Sequence, residues 1–255
     1  MTGTQLQLLG SFEVTANDVP AIVSSPGTQR LVVLLALRDR PVLRAAAAGA
    51  LWPDATRELA ALRLRATLAR LDPAARSAIE LTAGELRLDA DCAIDYRDAR
   101  IYAQDLLEPQ YAMPRESAAK TRASIALLSR ELLPDSYDDW VLPEAEDWRL
   151  LRAAALESLT AALSADNRPH LAMSAARAAI RNEPLRETAQ AALIRLHLVA
   201  GNQHEALRAY ERFAAVLLES LQLSPSAMLR TLVTGVGQPS QRSGILTPTT
   251  TLKDL

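Results

Sequence analysis

The sequence predicts a mainly α-helical protein with a small β component, divided into an N-terminal mixed part and a C-terminal all-α part. Three observations carry that prediction. Short, partly alternating apolar runs bounded by turn residues are confined to the first third of the chain. From Asp98 onward apolar residues recur at helical spacing throughout. A heptapeptide beginning at Asn167 (NRPHLAM) returns in altered form at Gly201 (GNQHEAL), 34 positions later.

Taken in order, residues 5–9 and 12–16, broken at Gly10-Ser11, together with Ile22-Val23, read as a small antiparallel sheet. Ser25-Pro26-Gly27-Thr28 then opens a helix over 29–37 whose apolar density suits a buried element. Residues 41–43 add a brief strand. A second helix, 44–52, leads through Pro53-Asp54 into a third, 56–71, which Thr56 can cap and Asp72-Pro73 stops. Residues 79–82 and 85–88 flank Ala83-Gly84, the signature of a tight hairpin. Sheet, three helices and terminal hairpin is the order of a winged helix-turn-helix, in which the third helix enters the DNA major groove and the hairpin is the wing beside it.

The remainder is helical. Residues 101–107 and 116–133 are amphipathic and separated by the breakers Pro109 and Pro114; a proline-framed turn within 132–163 feeds a long helix. Helices at 171–181, 185–199 and 204–221 follow, with breaks at Asn182-Glu183-Pro184 and Gly201-Asn202. The 34-residue repeat matches the period of tetratricopeptide helix pairs, in which small alanines let two helices approach closely. Past Val233 the composition turns to Gly, Ser, Thr, Pro and Gln without periodicity, the pattern of a mobile tail; Thr247-Pro248-Thr249-Thr250-Thr251 reads there as a solubilising tract. The expected domains are therefore 1–98, 99–234 and a tail, 235–255.

The third predicted helix is the candidate functional element. Projected at 100° per residue, Leu64, Leu68 and Leu71 share one face; Arg63, Ala66 and Arg70 lie nearly opposite, with Arg65 and Thr67 on the flanks and Leu62 in the outward sector. Arginine forks can take guanine O6 and N7 or grip phosphate, and a small residue between them lets a groove come close. Arg63 and Arg70 lie best for bases, Thr67 for base or phosphate, and Arg57 or Arg87 for backbone. The competing reading of this stretch alone is an ordinary amphipathic helix with solvated arginines.

The totals narrow the function. The formal charge of −2 gives no global nucleic-acid signal, but footprints are local. Residues 30–76 hold nine arginines against four acids, and the balance reverses over 80–98. A single cysteine, Cys92, excludes an internal disulfide and a cysteine-built zinc site. Neither lysine, Lys120 or Lys253, follows a glycine, so there is no phosphate-loop motif, and no G-x-S-x-G or H-E-x-x-H pattern occurs. His170 and His204 hold matching places in the repeat, which favours packing or solvation over metal ligation, and Trp140 and Trp148 read as core residues. No catalytic residue, cofactor site or metal site is expected. With no apolar run of membrane-spanning length and no secretory signal at the start, the expected location is the cytoplasm.

Particular stretches add a resemblance. LQLLGSFEV from Leu6, PGTQRLVVLLAL from Pro26, GALW from Gly49 and LRATLARL from Leu64 resemble the OmpR-type DNA-binding domain of the Streptomyces antibiotic regulatory protein (SARP) family of activators. In that family comparable helices carry arginines at the places of Arg65 and Arg70. Asp72 stands where the family usually has a further arginine, and Leu86 where the wing usually has tyrosine. LLPDSYDDWV from Leu132, EPLRE from Glu183, HLVAGNQHEALRAYERF from His197 and LSPS from Leu223 resemble the bacterial transcriptional activator domain that follows the winged helix in this family. Together the two stretches span about residues 6–233.

The resemblance implies an activator that binds directly repeated promoter sites as a homodimer, recruits RNA polymerase holoenzyme and controls a secondary-metabolite gene cluster. The alternative is a tetratricopeptide-like adaptor for other proteins, its winged helix no longer binding DNA; the near-neutral charge, Asp72 and the alanine-rich second helix favour it.

Overall fold

The computed structural model describes residues 3–23, 25–108, 116–234 and 236. Its first layer is a four-stranded sheet of β1 (Thr4–Gln7), β2 (Glu13–Ala16), β3 (Val19–Ala21) and β7 (Ala93–Ile94), in the order β3-β2-β1-β7. β1 and β2 pair antiparallel with Leu6 opposite Val14, both buried, so one face of the hairpin enters the core. The third strand is not at Ile22-Val23 as the sequence suggested. Asn17 and Asp18 both adopt positive φ, 53° and 62°, and make a two-residue turn that starts β3 at Val19. β7, which the sequence reading lacked, pairs parallel to β1 with Leu6 opposite Ile94.

Three helices follow and pack on one another: α1 (Pro26–Ala36), α2 (Arg44–Leu51) and α3 (Arg57–Ala69). Proline at the first turn starts α1 three residues before the expected Gln29, and Leu31 through Leu37 are all buried. Asp72-Pro73 does end α3, but Pro73 also opens a short helix not foreseen, α4 (Pro73–Ala78), because its fixed φ and missing N–H suit a first helical position. The wing follows as β5 (Ile79–Leu81) and β6 (Glu85–Leu88), with β4 (Val42–Leu43) on the other side of β6. Leu86 is fully buried and faces Val42 and Leu81 across the sheet, so this wing position is a core position.

The all-α part begins earlier than expected. α5 (Asp95–Asp105) starts six residues before Ile101, and the expected boundary at 98–99 falls inside it. Its first residue explains the start: the Asp95 carboxylate accepts the backbone N–H groups of Leu8 (2.7 Å) and Leu9 (3.2 Å). α6 (Ala118–Leu128), α7 (Leu142–Ala165), α8 (Pro169–Asn182), α9 (Glu187–Val199), α10 (Gln203–Leu221) and α11 (Ala227–Val233) complete the chain. α6 stops five residues short of Leu133, since Leu132 instead makes an isolated bridge to Leu9. Pro109, Pro114 and the expected tail, including Thr247–Thr251 but not residues 234 and 236, lie outside the described residues.

The 34-residue repeat has a backbone counterpart. At the end of α7, Asn167 (φ 56°) donates to the Ser164 carbonyl and the Arg168 N–H donates to Leu163 at 2.9 Å. At the end of α9, Gly201 (φ 74°) donates to Leu198 and the Asn202 N–H to His197 at 2.8 Å. Both are left-handed helix stops of the same hydrogen-bonding type. Each is followed by a helix whose alanine, Ala172 or Ala206, is wholly buried. His170 and His204 are exposed at both copies, as solvated residues.

The sheet, its helices and the all-α part share one continuous core running from Leu6 to Leu229. Trp148, 1% exposed, packs edge-on against Tyr96 at 5.7 Å and donates Nε1–H to the Arg130 carbonyl at 2.9 Å. The Gly10 N–H donates to the Glu131 carbonyl (2.7 Å) and the Leu133 N–H to the Leu8 carbonyl (3.0 Å).

Candidate nucleic-acid interface

α3 forms where its ends allow it. Thr56 accepts the Leu59 N–H on its hydroxyl at 3.3 Å, satisfying one of the first-turn donors, and Glu58 places an acid at the positive end of the helix. The other end is closed from outside: Arg76 donates Nη2–H to the Leu68 carbonyl at 3.2 Å. Ala60, Leu64 and Leu68 are buried, and Leu71 just beyond the helix continues that apolar row. This is the inner face that the period of 3.6 residues predicts.

The outer face is arginine-rich and open. Arg63 and Arg65 are exposed, as is Ala66 between them; Arg57 in the first turn, on the side of Ala60 and Leu64, and Arg70 at the helix end are exposed too. None of the four guanidinium groups hydrogen-bonds or pairs with a carboxylate among the described residues. Leu62 joins this face, 54% exposed. Arg70 differs from the rest in backbone: it is the residue capping the helix C-terminus (φ −108°, ψ 16°), so its side chain leaves from the end of the rod rather than from its flank.

Two candidates sit differently. Thr67 is half-buried and turned toward the start of α1, so close that a Cβ placed on Gly27 would lie 3.3 Å from its hydroxyl oxygen; glycine permits this approach of α1 to α3. Arg87 on the wing donates Nε–H to the Glu80 carboxylate at 2.6 Å, the residue directly opposite it across the hairpin. Its charge is thereby balanced on the wing itself. The wing tip is open, with nothing near Gly84, and Thr82 closes the turn by accepting the Glu85 N–H at 3.0 Å.

One end of the arginine face borders the all-α part. Arg63 and Trp52 share a cleft of 610 Å³ with Asp138, Asp139 and Trp140 of the segment between α6 and α7. Arg30 of α1, which the sequence reading did not single out, closes that cleft. It grips the Asp138 carboxylate through Nε and Nη2 at 2.5–3.1 Å, a bidentate pair bridging 108 positions of sequence. Nothing local marks Arg30: it rides on an apolar helix and its partner is remote.

Elsewhere the ionisable groups read as structural. Burial pushes the Cys92 thiol up to about 11 and, with the nearby Glu144 charge, the Tyr96 hydroxyl up to about 12. Burial also raises the Asp95 carboxyl, against the pull of the two N–H groups it accepts. No group of His, Cys, Asp and Glu suited to a metal occurs among the described residues.

Comparison with known proteins follows the same division. A model of the bacterial transcriptional activator domain family matches residues 100–236, more than half of the chain. Among solved structures, the chain is similar to Mycobacterium tuberculosis EmbR, described in complex with a low affinity phosphopeptide. The TM-score is 0.63 and the identity 22%, over 91% of this chain and 64% of that one. The chain thus spans under two thirds of that protein's length, and the likeness is one of fold, across both the winged helix and the helical part. No curated protein matches by sequence. No helix among the described residues is long and apolar enough to cross a membrane. The chain belongs to the bacterial transcriptional activator domain family.

Proposed function

We propose that this protein is a sequence-specific DNA-binding activator whose α3 enters the major groove of promoter DNA. The observation that carries this reading is the set of four exposed, unpaired arginines of α3 and its cap: Arg63 and Arg65 flank exposed Ala66 on the side away from buried Ala60, Leu64 and Leu68, Arg57 stands in the first turn and Arg70 at the C-terminal end. Arg63 and Arg65 read base edges past Ala66, Arg57 and Arg70 hold the two ends of the helix against the duplex, and the wing lies along the neighbouring backbone. Thr67 supports this face through its packing on α1, and Arg87 contributes to phosphate contact only when Glu80 releases it.

One such helix discriminates modestly, about 1–3 kcal/mol for each good bidentate contact. Two copies on directly repeated sites double the reading, so the active form is a homodimer in the cytoplasm. Residues 1–98 serve as the DNA-binding unit and 99–234 as the tetratricopeptide-like unit that pairs copies and presents a surface to RNA polymerase holoenzyme. The target is a secondary-metabolite gene cluster. The stacking of α7 to α10 in chain order and the repeated helix stops at Asn167 and Gly201 support the tetratricopeptide-like reading.

The test is a gel-shift titration of the full chain against the promoter region upstream of its own gene cluster, with a scrambled duplex of equal length as control. Tighter binding to the promoter, weakening steeply as salt rises through counterion release, is expected. Equal, negligible binding to both duplexes would leave the adaptor reading, which the proximity of Asp138 and Asp139 to Arg63 favours.

A further inference from the structure

Between the winged helix and the segment that leads into α7 lies a second cavity, of 380 Å³, at the small end of the about 300–1,000 Å³ range for small-molecule sites. Three aromatic residues line it: Phe12 from the winged-helix side, and Tyr137 and Trp140 from the other. Tyr137 is 84% exposed, a large ring at the rim that packs into no core. The charged lining is Arg30, Asp135 and Asp138. Arg30 and Asp138 neutralise each other as a bidentate pair. Asp135 is exposed and has no hydrogen bond or ion pair among the described residues, so the lining carries one uncompensated negative charge.

Aromatic faces present negative potential, and a carboxylate beside them adds to it. An anionic ligand would meet Asp135, while the guanidinium that would attract it is already held by Asp138. We propose that this cavity is a binding site for a small organic cation, an amine or quaternary ammonium carried on an apolar body. The apolar body lies against Val33 and Leu133, and the cationic head sits among the rings beside Asp135. Because one wall belongs to α1 and the other to the segment before α7, an occupant touches both parts of the chain at once. It also shares Arg30, Asp138 and Trp140 with the cleft that Arg63 borders, which places it one side-chain layer from the proposed DNA face.

The experiment is isothermal titration of the full chain with three probes of similar size: benzyltrimethylammonium, benzyl alcohol and benzoate. The cation alone is expected to bind saturably. Asp135→Asn and Tyr137→Ala are each expected to weaken it at least about threefold, the scale of one lost cation–aromatic or charge contact at a partly exposed site. Both side chains are exposed and hold nothing else, so unchanged melting temperatures accompany the loss. Ser136→Trp, which fills the cavity from its rim, is expected to abolish binding. Benzoate binding as tightly as the cation, no saturable binding of the cation, or both variants retaining wild-type affinity would overturn the proposal. None of these outcomes depends on whether the protein binds DNA.

Discussion

Arginines in two regions of this molecule have opposite fates. At the seam between the winged helix and the helical part, Arg30 is gripped by Asp138 and Arg152, 3% exposed, donates to the Ser129 carbonyl at 3.1 Å. Arg97 of α5 donates to the carbonyls of Ala36 and Arg38. On α3 and its C-terminal cap the same side chain appears four times without a partner. A guanidinium has five donors in a rigid fork, so what it meets tells its task. Where carbonyls and carboxylates fill the fork, it fastens one segment to another. Where several forks stand open on one exposed helix, they are available to an external anion.

That contrast can be broken from the seam side first. Trp148→Ala removes the largest buried ring there, together with its contact to Tyr96 and its hydrogen bond to Arg130. A loss of about 3–5 kcal/mol in unfolding free energy is expected from urea denaturation. Arg30→Gln comes next. Its pair with Asp138 is partly solvated, with the two side chains 34% and 21% exposed, so at most about 1 kcal/mol is expected. The double change with Asp138→Asn should cost little more than either single one, because both remove the same interaction.

A smaller effect should appear on acidification. His197, 5% exposed, has its pKa lowered by burial first and by the nearby Arg177 charge second, so the native state resists protonating it. The unfolded chain binds that proton below about pH 6.5. Stability is therefore fully present above that pH and falls as pH drops through the window beneath it. Denaturation midpoints measured at pH 7 and pH 5.5 should differ less in His197→Gln than in the wild type.

How much of this was readable beforehand depended on how local each cause is. The buried row Ala60, Leu64, Leu68 and the open arginines opposite follow from residues three and four apart, and periodicity found them. The wing follows from Ala83-Gly84 between two short apolar runs. What was missed has remote or double-edged causes. β7 exists because Leu6 lies beside Ile94, nearly ninety positions on, and α5 starts at Asp95 because the N–H groups of Leu8 and Leu9 need an acceptor. Pro73 was readable as a stop but is a start as well. Asn17-Asp18 was a usable signal for β3, since both residues tolerate the left-handed region that a two-residue turn requires. In the candidate site, helical projection placed Arg63 and Arg65 well. It misplaced Arg70, which caps the helix end, and gave no hint that Thr67 packs toward Gly27 or that Glu80 engages Arg87.

The most direct test compares DNA affinity and stability in one protein. With Arg63 and Arg65 both changed to Ala, fluorescence anisotropy against the promoter duplex should show specific binding lost, as two base contacts of about 1–3 kcal/mol each disappear. Unfolding free energy should stay within about 0.5 kcal/mol of wild type, since neither side chain holds anything within the fold. Full retention of promoter affinity in that stable variant would contradict the assignment of the α3 face to DNA.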